Sequence, residues 1–141
     1  MPSDFALQTM NRVHRVILAV TGGRVGWKAG GMEAIQLHTI GRVSGQRRSV
    51  MLTCPVRAEG GLVIVASKGG EPEHPAWFLN LRDNPEVEVT QRDTTQPMTA
   101  RVLEGDERAA LWAEVTAAQP RYAAYQRKTE REIPLVVLEP R

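Results

Sequence analysis

Six short runs with the residue habits of β-strands limit what this chain can fold into. They are "EAIQLHTI" (33–40), "SVMLTCPV" (49–56), "LVIVAS" (62–67), "EVEVTQ" (86–91), "QPMTARVLE" (96–104) and "IPLVVLE" (133–139). Each is six to nine residues long, rich in valine, isoleucine and threonine, and bounded by glycine, proline or charged turn residues. That is strand length and strand composition. Residues 59–61, Glu-Gly-Gly, read as a hairpin turn, and hairpin-linked strands pair antiparallel. The run 62–67 is apolar on both faces, and 133–139 reads as a last buried strand. The apolar length of the strands suggests a closed or nearly closed sheet, which removes exposed edges. Helical spacing is confined to four segments. Residues 76–83 follow Pro75, residues 106–118 follow Asp106 as the expected cap, residues 122–128 form a short piece, and residues 4–20 lead the chain. The expected class is α+β, mainly β: a six-stranded antiparallel barrel with flanking helices.

A chain of 141 residues with no repeat, linker or low-complexity block is expected to form one domain over 1–141. Its net charge of +2 is not gathered into a basic stripe, so no nucleic-acid partner is expected. The single cysteine, Cys54, permits no internal disulfide and fits a reducing compartment. No run approaches the ~20 apolar residues of a membrane helix, and no signal-peptide pattern opens the chain, so a cytoplasmic protein is expected. Residues 4–20 carry an apolar stripe of Leu7, Met10, Val13, Ile17 and Val20, with Arg12, His14 and Arg15 beside it. Such a helix either packs on the domain or lies on a membrane surface, which leaves peripheral contact with the inner face of the cell membrane open. Residues 22–31 hold five glycines and read as a hinge.

Two segments combine glycine with cations. In "TIGRVSGQRR" (39–48), Gly41 and Gly45 flank a tight turn that carries Arg42, Ser44, Gln46, Arg47 and Arg48. Turn N–H groups beside arginines suit a phosphate or carboxylate, and they equally suit a solvated hairpin. The spacing is neither GxxxxGK[ST] nor GxGxxG. In "VIVASKGGEPEHPAWFLNL" (63–81), a buried strand ends at Ser67 and Lys68, and a glycine pair follows where backbone can approach a ligand. Trp77 and Asn80 lie one helical turn apart and share a face. The segment reads either as a ligand wall or as a turn before a core tryptophan. There is no HExxH, CxxC or GxSxG. His38 reads as core or pocket lining and Cys54 as a small buried side chain. A chain without an evident acid, base or metal site fits chemistry borrowed from a cofactor.

Taken together, "LHTIGRVSGQRRSVML", "VIVASKGGEPEHPAWFLNLRDNPEVEV" and "QPRYAAYQRKTEREIPLVVLEP" closely resemble the deazaflavin-dependent nitroreductase family, which uses coenzyme F420. The resemblance runs from about Asn11 to Pro140. Its linked motifs are TxGRxSGxxR, ASKGGxxxHPAWxxNLxxNP and IPxVVLEP. It implies a split β-barrel related to the FMN-binding fold. It also implies that the turn Arg42, Val43, Ser44, Gly45, Gln46 and Arg48 meets the cofactor's phosphate and glutamate tail, with Lys68 adding a cation. Backbone around Leu52, Thr53 and Cys54, and around Ile64, Val65, Ala66 and Ser67, would line the deazaflavin ring. Trp77 and Asn80 would fix the short helix beside the cleft. Ser67, Tyr122 and Tyr125 would face the acceptor as candidate catalytic groups. The chain departs from the pattern at Val43, where many relatives carry lysine or arginine, and at Gln119, where some carry tyrosine.

The resemblance implies an oxidoreductase that passes a hydride from reduced F420 to a quinone, an enone or other activated C=C bond, or a nitroaromatic. A tyrosine hydroxyl or Ser67 would serve the developing anion. The alternatives are an FMN-using relative of the same barrel and a non-catalytic F420 carrier or membrane-associated binding protein. The small-molecule acceptor is the expected partner, and the expected state is a monomer or weak dimer.

Overall fold

The computed structural model describes residues 28–29, 32–58 and 60–141. The expected helix over 4–20 and most of the glycine-rich stretch lie outside these. Eight strands run in chain order: β1 Lys28–Ala29, β2 Met32–Ile40, β3 Arg47–Cys54, β4 Val56–Ala58, β5 Gly61–Val65, β6 Glu86–Gln91, β7 Thr94–Val102 and β8 Leu135–Pro140. Three helices accompany them: α1 Ala76–Asp83, α2 Gly105–Ala118 and α3 Arg121–Arg127. Every pairing is antiparallel, in the order β1-β2-β6-β7-β8-β5-β4, with β3 also on β2.

The break in the chain at Pro55 explains the barrel. Pro55 has no N–H to give to a ladder, and it splits the expected run 49–56 into two strands. β3 pairs β2 over its whole length, from Ile40↔Arg47 to Glu33↔Cys54. β4 pairs β5 from Val56↔Val63 to Ala58↔Gly61. The chain on the two sides of Pro55 therefore pairs with β2 near one end of the path and with β5 at the other, and the sheet curls into a split barrel. The six expected runs are all present as strands, and β1 is an addition.

Two apolar clusters follow from strand alternation. Leu62, Ile64 and Ala66 of the β5 segment point into the barrel with Ile35, Leu37, Val87, Val89, Val136 and Leu138. Val63 and Val65 point the other way, onto Val115 of α2 and Tyr122 of α3, with Leu135 and Val137. This two-sided burial is why β5 and β8 read as apolar throughout. A fully buried isoleucine or leucine contributes about 1.5–3 kcal/mol, and Ile35, Leu37, Ile64, Leu135 and Leu138 are each 0 % exposed. α1 closes the barrel mouth with Phe78 and Leu81.

One expected cap is corrected. α2 begins two residues before the point that Asp106 predicts, with Glu104 at the N-cap and no side-chain cap bond. Gly105 takes φ +58 there, a left-handed reversal open to glycine, so the helix starts at the reversal itself. Asp106 and Glu107 instead occupy the first turn, where negative charge suits the helix dipole.

Candidate functional site

The β2–β3 hairpin turn is tight and internally bonded. The Gly41 N–H donates to Gln46 O (2.8 Å) and the Gly45 N–H to Gly41 O (2.8 Å), with Gly45 at φ +72. Ser44 Oγ accepts from the Gln46 N–H (3.1 Å) and from Arg48 Nη2 (3.4 Å). The Ser44 hydroxyl thus shapes the turn and holds Arg48. Arg47 pairs with Glu88 (3.1 Å). Val43 stands 89 % exposed at the tip.

Asn80 joins this turn to α1. Its Oδ1 accepts the Arg42 N–H (3.1 Å), and its Nδ2 donates to Thr39 Oγ1 (3.3 Å). At 6 % exposure it is a bracket between two elements. Trp77, its neighbour on the helix, is half-buried against the barrel cluster.

The segment after β5 is a left-handed turn. Lys68, Gly69 and Gly70 have φ of +47, +65 and +84. The Gly70 N–H donates to Ser67 O (2.9 Å) and the Glu71 N–H to Lys68 O (3.1 Å). A non-glycine residue at positive φ is strained backbone that its surroundings must hold. Lys68 Nζ lies 3.4 Å from Glu73 Oε2, with its side chain 11 % exposed. A Cβ on Gly70 would lie 2.7 Å from Tyr125 O, so the second glycine lets the turn abut α3.

α3 supplies two aromatic rings in edge-to-face contact, Tyr122 and Tyr125, at 5.9 Å. Tyr122 is 6 % exposed, and its hydroxyl is shared with Thr53 Oγ1 at 3.3 Å and donates to Met32 Sδ at 3.6 Å. Burial pushes its phenol above the ordinary value, partly offset by the Thr53 bond. Tyr125 is half-buried, with Lys128 Nζ 5.6 Å from its ring centre.

Tyr122 reaches β3 through Thr53, beside the split of the barrel. Among the described residues, β3 has a ladder only with β2, and β5 pairs β4 no further than Val63. Among the described residues, then, no ladder joins β3 to β5 across the split. Strand edges offer alternating N–H donors and C=O acceptors, which a flat heteroaromatic ring with imide-like edges can satisfy. Only backbone is available for this from several expected residues. The side chains of Leu52, Cys54, Ile64 and Ala66 belong to the barrel cluster and that of Val65 to the helix-side cluster. Burial pushes the Cys54 thiol up to about 11, and Sγ donates to Val56 O (3.0 Å), so this cysteine is not a thiolate nucleophile. His38 bonds Ser49 Oγ and Thr90 Oγ1, each at 2.7 Å, and is 8 % exposed.

Sequence reasoning missed Arg131. Its guanidinium donates to Ala66 O (3.2 Å), Ser67 O (2.8 Å) and Glu71 O (2.9 Å), and contacts His74 Nδ1 at 3.2 Å. The Gln126 side chain ties the same segment to α3 by donating to Arg131 O (2.7 Å). The one available signal was an arginine two residues ahead of a buried strand. Among the described residues no three His, Cys, Asp or Glu side chains converge on a metal position. No helix among them is long and apolar enough to cross a membrane.

An antiparallel split barrel of this topology has the FMN-binding split-barrel-like fold. The F420H(2)-dependent quinone reductase family profile matches residues 10–140, and the chain belongs to that family. It is 38% identical over 131 residues to an F420H(2)-dependent quinone reductase of Mycobacterium tuberculosis, covering 90% of this chain and 87% of the relative. Among solved structures, an F420-H2 dependent reductase (FDR-A) is 44% identical with a TM-score of 0.67, over 75% of this chain and 93% of that one. A second, described as a domain-swapped dimer, is 38% identical with a TM-score of 0.70, over 94% of this chain and 97% of that one.

Proposed function

We propose that this protein is an F420H2-dependent reductase that passes a hydride to an electron-poor small molecule, with quinones the leading acceptors, then activated C=C bonds and nitroaromatics. Family membership supports coenzyme F420 as the cofactor. The observation that carries the proposal is the split between β3 and β5, which share no ladder among the described residues, with Tyr122 bonded to Thr53 on β3. A flat ring with donor and acceptor edges fits the peptide groups of these strands, and an anionic tail fits Arg42, Arg48 and Lys68.

Reduced deazaflavin, when bound, supplies the hydride. The chain's part is to hold the ring edge on β3 and β5 and to keep water from the reacting face with Tyr122 and Tyr125. Hydride arrival leaves negative charge on the acceptor oxygen. Tyr122 Oη would exchange its weak contact with Met32 Sδ for that oxygen and donate to it, with Thr53 Oγ1 3.3 Å away as a second hydroxyl. Ser67 and Tyr125 are the other candidate catalytic groups.

Titration with oxidised F420, followed by tryptophan fluorescence beside an FMN control, tests the cofactor. Tight binding of F420 and weak binding of FMN is expected, with Arg42→Ala and Lys68→Ala each weakening F420. Turnover against a quinone, an enone and a nitroaromatic then tests the reaction. Preference for FMN would refute the deazaflavin assignment, and binding without turnover would make the protein a carrier. Full turnover in a Tyr122→Phe, Tyr125→Phe double variant would remove both tyrosines from the mechanism.

A further inference from the structure

Arg131 is half-buried, and its neighbours are unusual for a buried guanidinium. Among the described residues no carboxylate lies within salt-bridge distance of it; its partners are three peptide carbonyls and the His74 ring. Its charge is therefore spread over the peptides of the left-handed turn and not neutralised by an acid. Burial alone lowers its proton affinity, so holding it there costs free energy.

The direction of that charge follows from peptide geometry. The Ala66 N–H donates to Pro134 O on the β8 side, and Ala66 O accepts from Arg131. No peptide bond among the described residues is cis, and in a trans unit the C=O and the following N–H point opposite ways. The Ser67 N–H therefore points away from Arg131 and from the β8 side of β5. A cation on the carbonyl draws electron density through the amide and strengthens the N–H on the far side. The second carbonyl, Ser67 O, is bonded by both Arg131 and the Gly70 N–H, which fixes where the strained Lys68 sits.

We propose that Arg131 is a positioning residue for the cofactor: it clamps the 66–71 turn and polarises the Ala66–Ser67 peptide, so that the Ser67 N–H donates to an electronegative edge of the deazaflavin. This rests on the F420 assignment and adds a consequence to it. The reduced ring carries more electron density than the oxidised ring, so a polarised donor holds the reduced form more tightly. A lysine keeps the charge but lacks the planar fork that reaches three carbonyls at once.

The test compares the full chain with Arg131→Lys and Arg131→Gln. Dissociation constants for oxidised and reduced F420 are measured for each, beside thermal unfolding. The unaltered protein should bind the reduced form more tightly. Arg131→Gln should weaken reduced F420 by about tenfold or more and oxidised F420 by much less, with Arg131→Lys between them. A purely structural arginine would weaken both forms alike, or lower only the melting temperature, and either result overturns the proposal. If Arg131→Gln does not fold, an unchanged ratio of the two constants in Arg131→Lys overturns it. If the unaltered protein binds no F420, the cofactor assignment fails and the proposal falls with it.

Discussion

Gly70 and Gly45 both sit at positive φ, but they differ in what surrounds them, so alanine at each position separates backbone strain from contact. At Gly45, φ is +72 and an added Cβ meets nothing within 4 Å. The cost there is conformational alone, about 1–2 kcal/mol for a left-handed L-residue. At Gly70, φ is +84 and the Cβ would lie 2.7 Å from Tyr125 O and 3.1 Å from Tyr125 Cα and Lys128 Cβ. Two of those atoms are helix backbone and cannot rotate away. Overpacking of this kind adds about 1–3 kcal/mol, so Gly70→Ala should cost about 2–5 kcal/mol in all. Urea unfolding followed by tryptophan fluorescence reads both variants, with the difference in midpoint scaled by a common slope. The displaced α3 should also carry Tyr122 and Tyr125 with it, lowering acceptor turnover even where the variant stays folded. Equal destabilisation by the two substitutions would refute the idea that this glycine is required by the approach of α3.

Three further outcomes are expected. Asn80→Ala removes both bonds of a buried bracket and should cost about 1–3 kcal/mol; it should also loosen F420 binding through the Arg42 turn, and unchanged affinity would mean the turn holds itself. His74 has its pKa lowered below the ordinary 6.5 by burial first, then by Arg131 and Arg82. A lowered folded-state value contributes stability that is fully present above pH 6.5 and is lost as pH falls below it. The melting temperature should therefore drop between pH 7.5 and 5.5, and the drop should shrink in His74→Gln; identical drops would exonerate His74. Cys54, at 5 % exposure with its thiol raised to about 11, should react with a maleimide at pH 7 only after unfolding. Labelling of the native protein at the rate of a free thiol would contradict its placement.

The strands were legible because their signals are local. β6 alternates as Glu86-Val87-Glu88-Val89, and its buried residues are the two valines. β5 is apolar on both faces because it lies between two clusters. α1 falls on 76–83 as expected because Pro75 starts it and Asn84-Pro85 ends it. What composition hid depends on tertiary geometry. Pro55 marked a strand end in the sequence, but nothing local says that the chain continues past it onto a different neighbour. Asn80 and Trp77 share a helix face as expected, yet the partner of Asn80 is an amide 38 residues away. Arg131 lies in an irregular segment with no periodicity, and its bonds go to carbonyls, which have no residue identity to read. The resemblance supplied the candidate site residues that pattern alone left between a ligand wall and an ordinary turn.

The position of β8 in the sheet has a consequence for how the molecule is made. β8 is the last of the described strands in chain order, and it lies between β5 and β7. Val137 pairs with Val63, 74 positions earlier, and with Arg101 on its other side. Without β8, the described ladders fall into two sets, β1-β2-β6-β7 with β3 on β2, and β5-β4. Closing such distant pairings is slow, because a long loop must be ordered before any contact rewards it. While it waits, each nascent chain presents a vacancy that the β8 of another copy fits as well as its own. Dilution and low temperature during refolding should favour monomers, and crowded refolding should yield exchanged pairs.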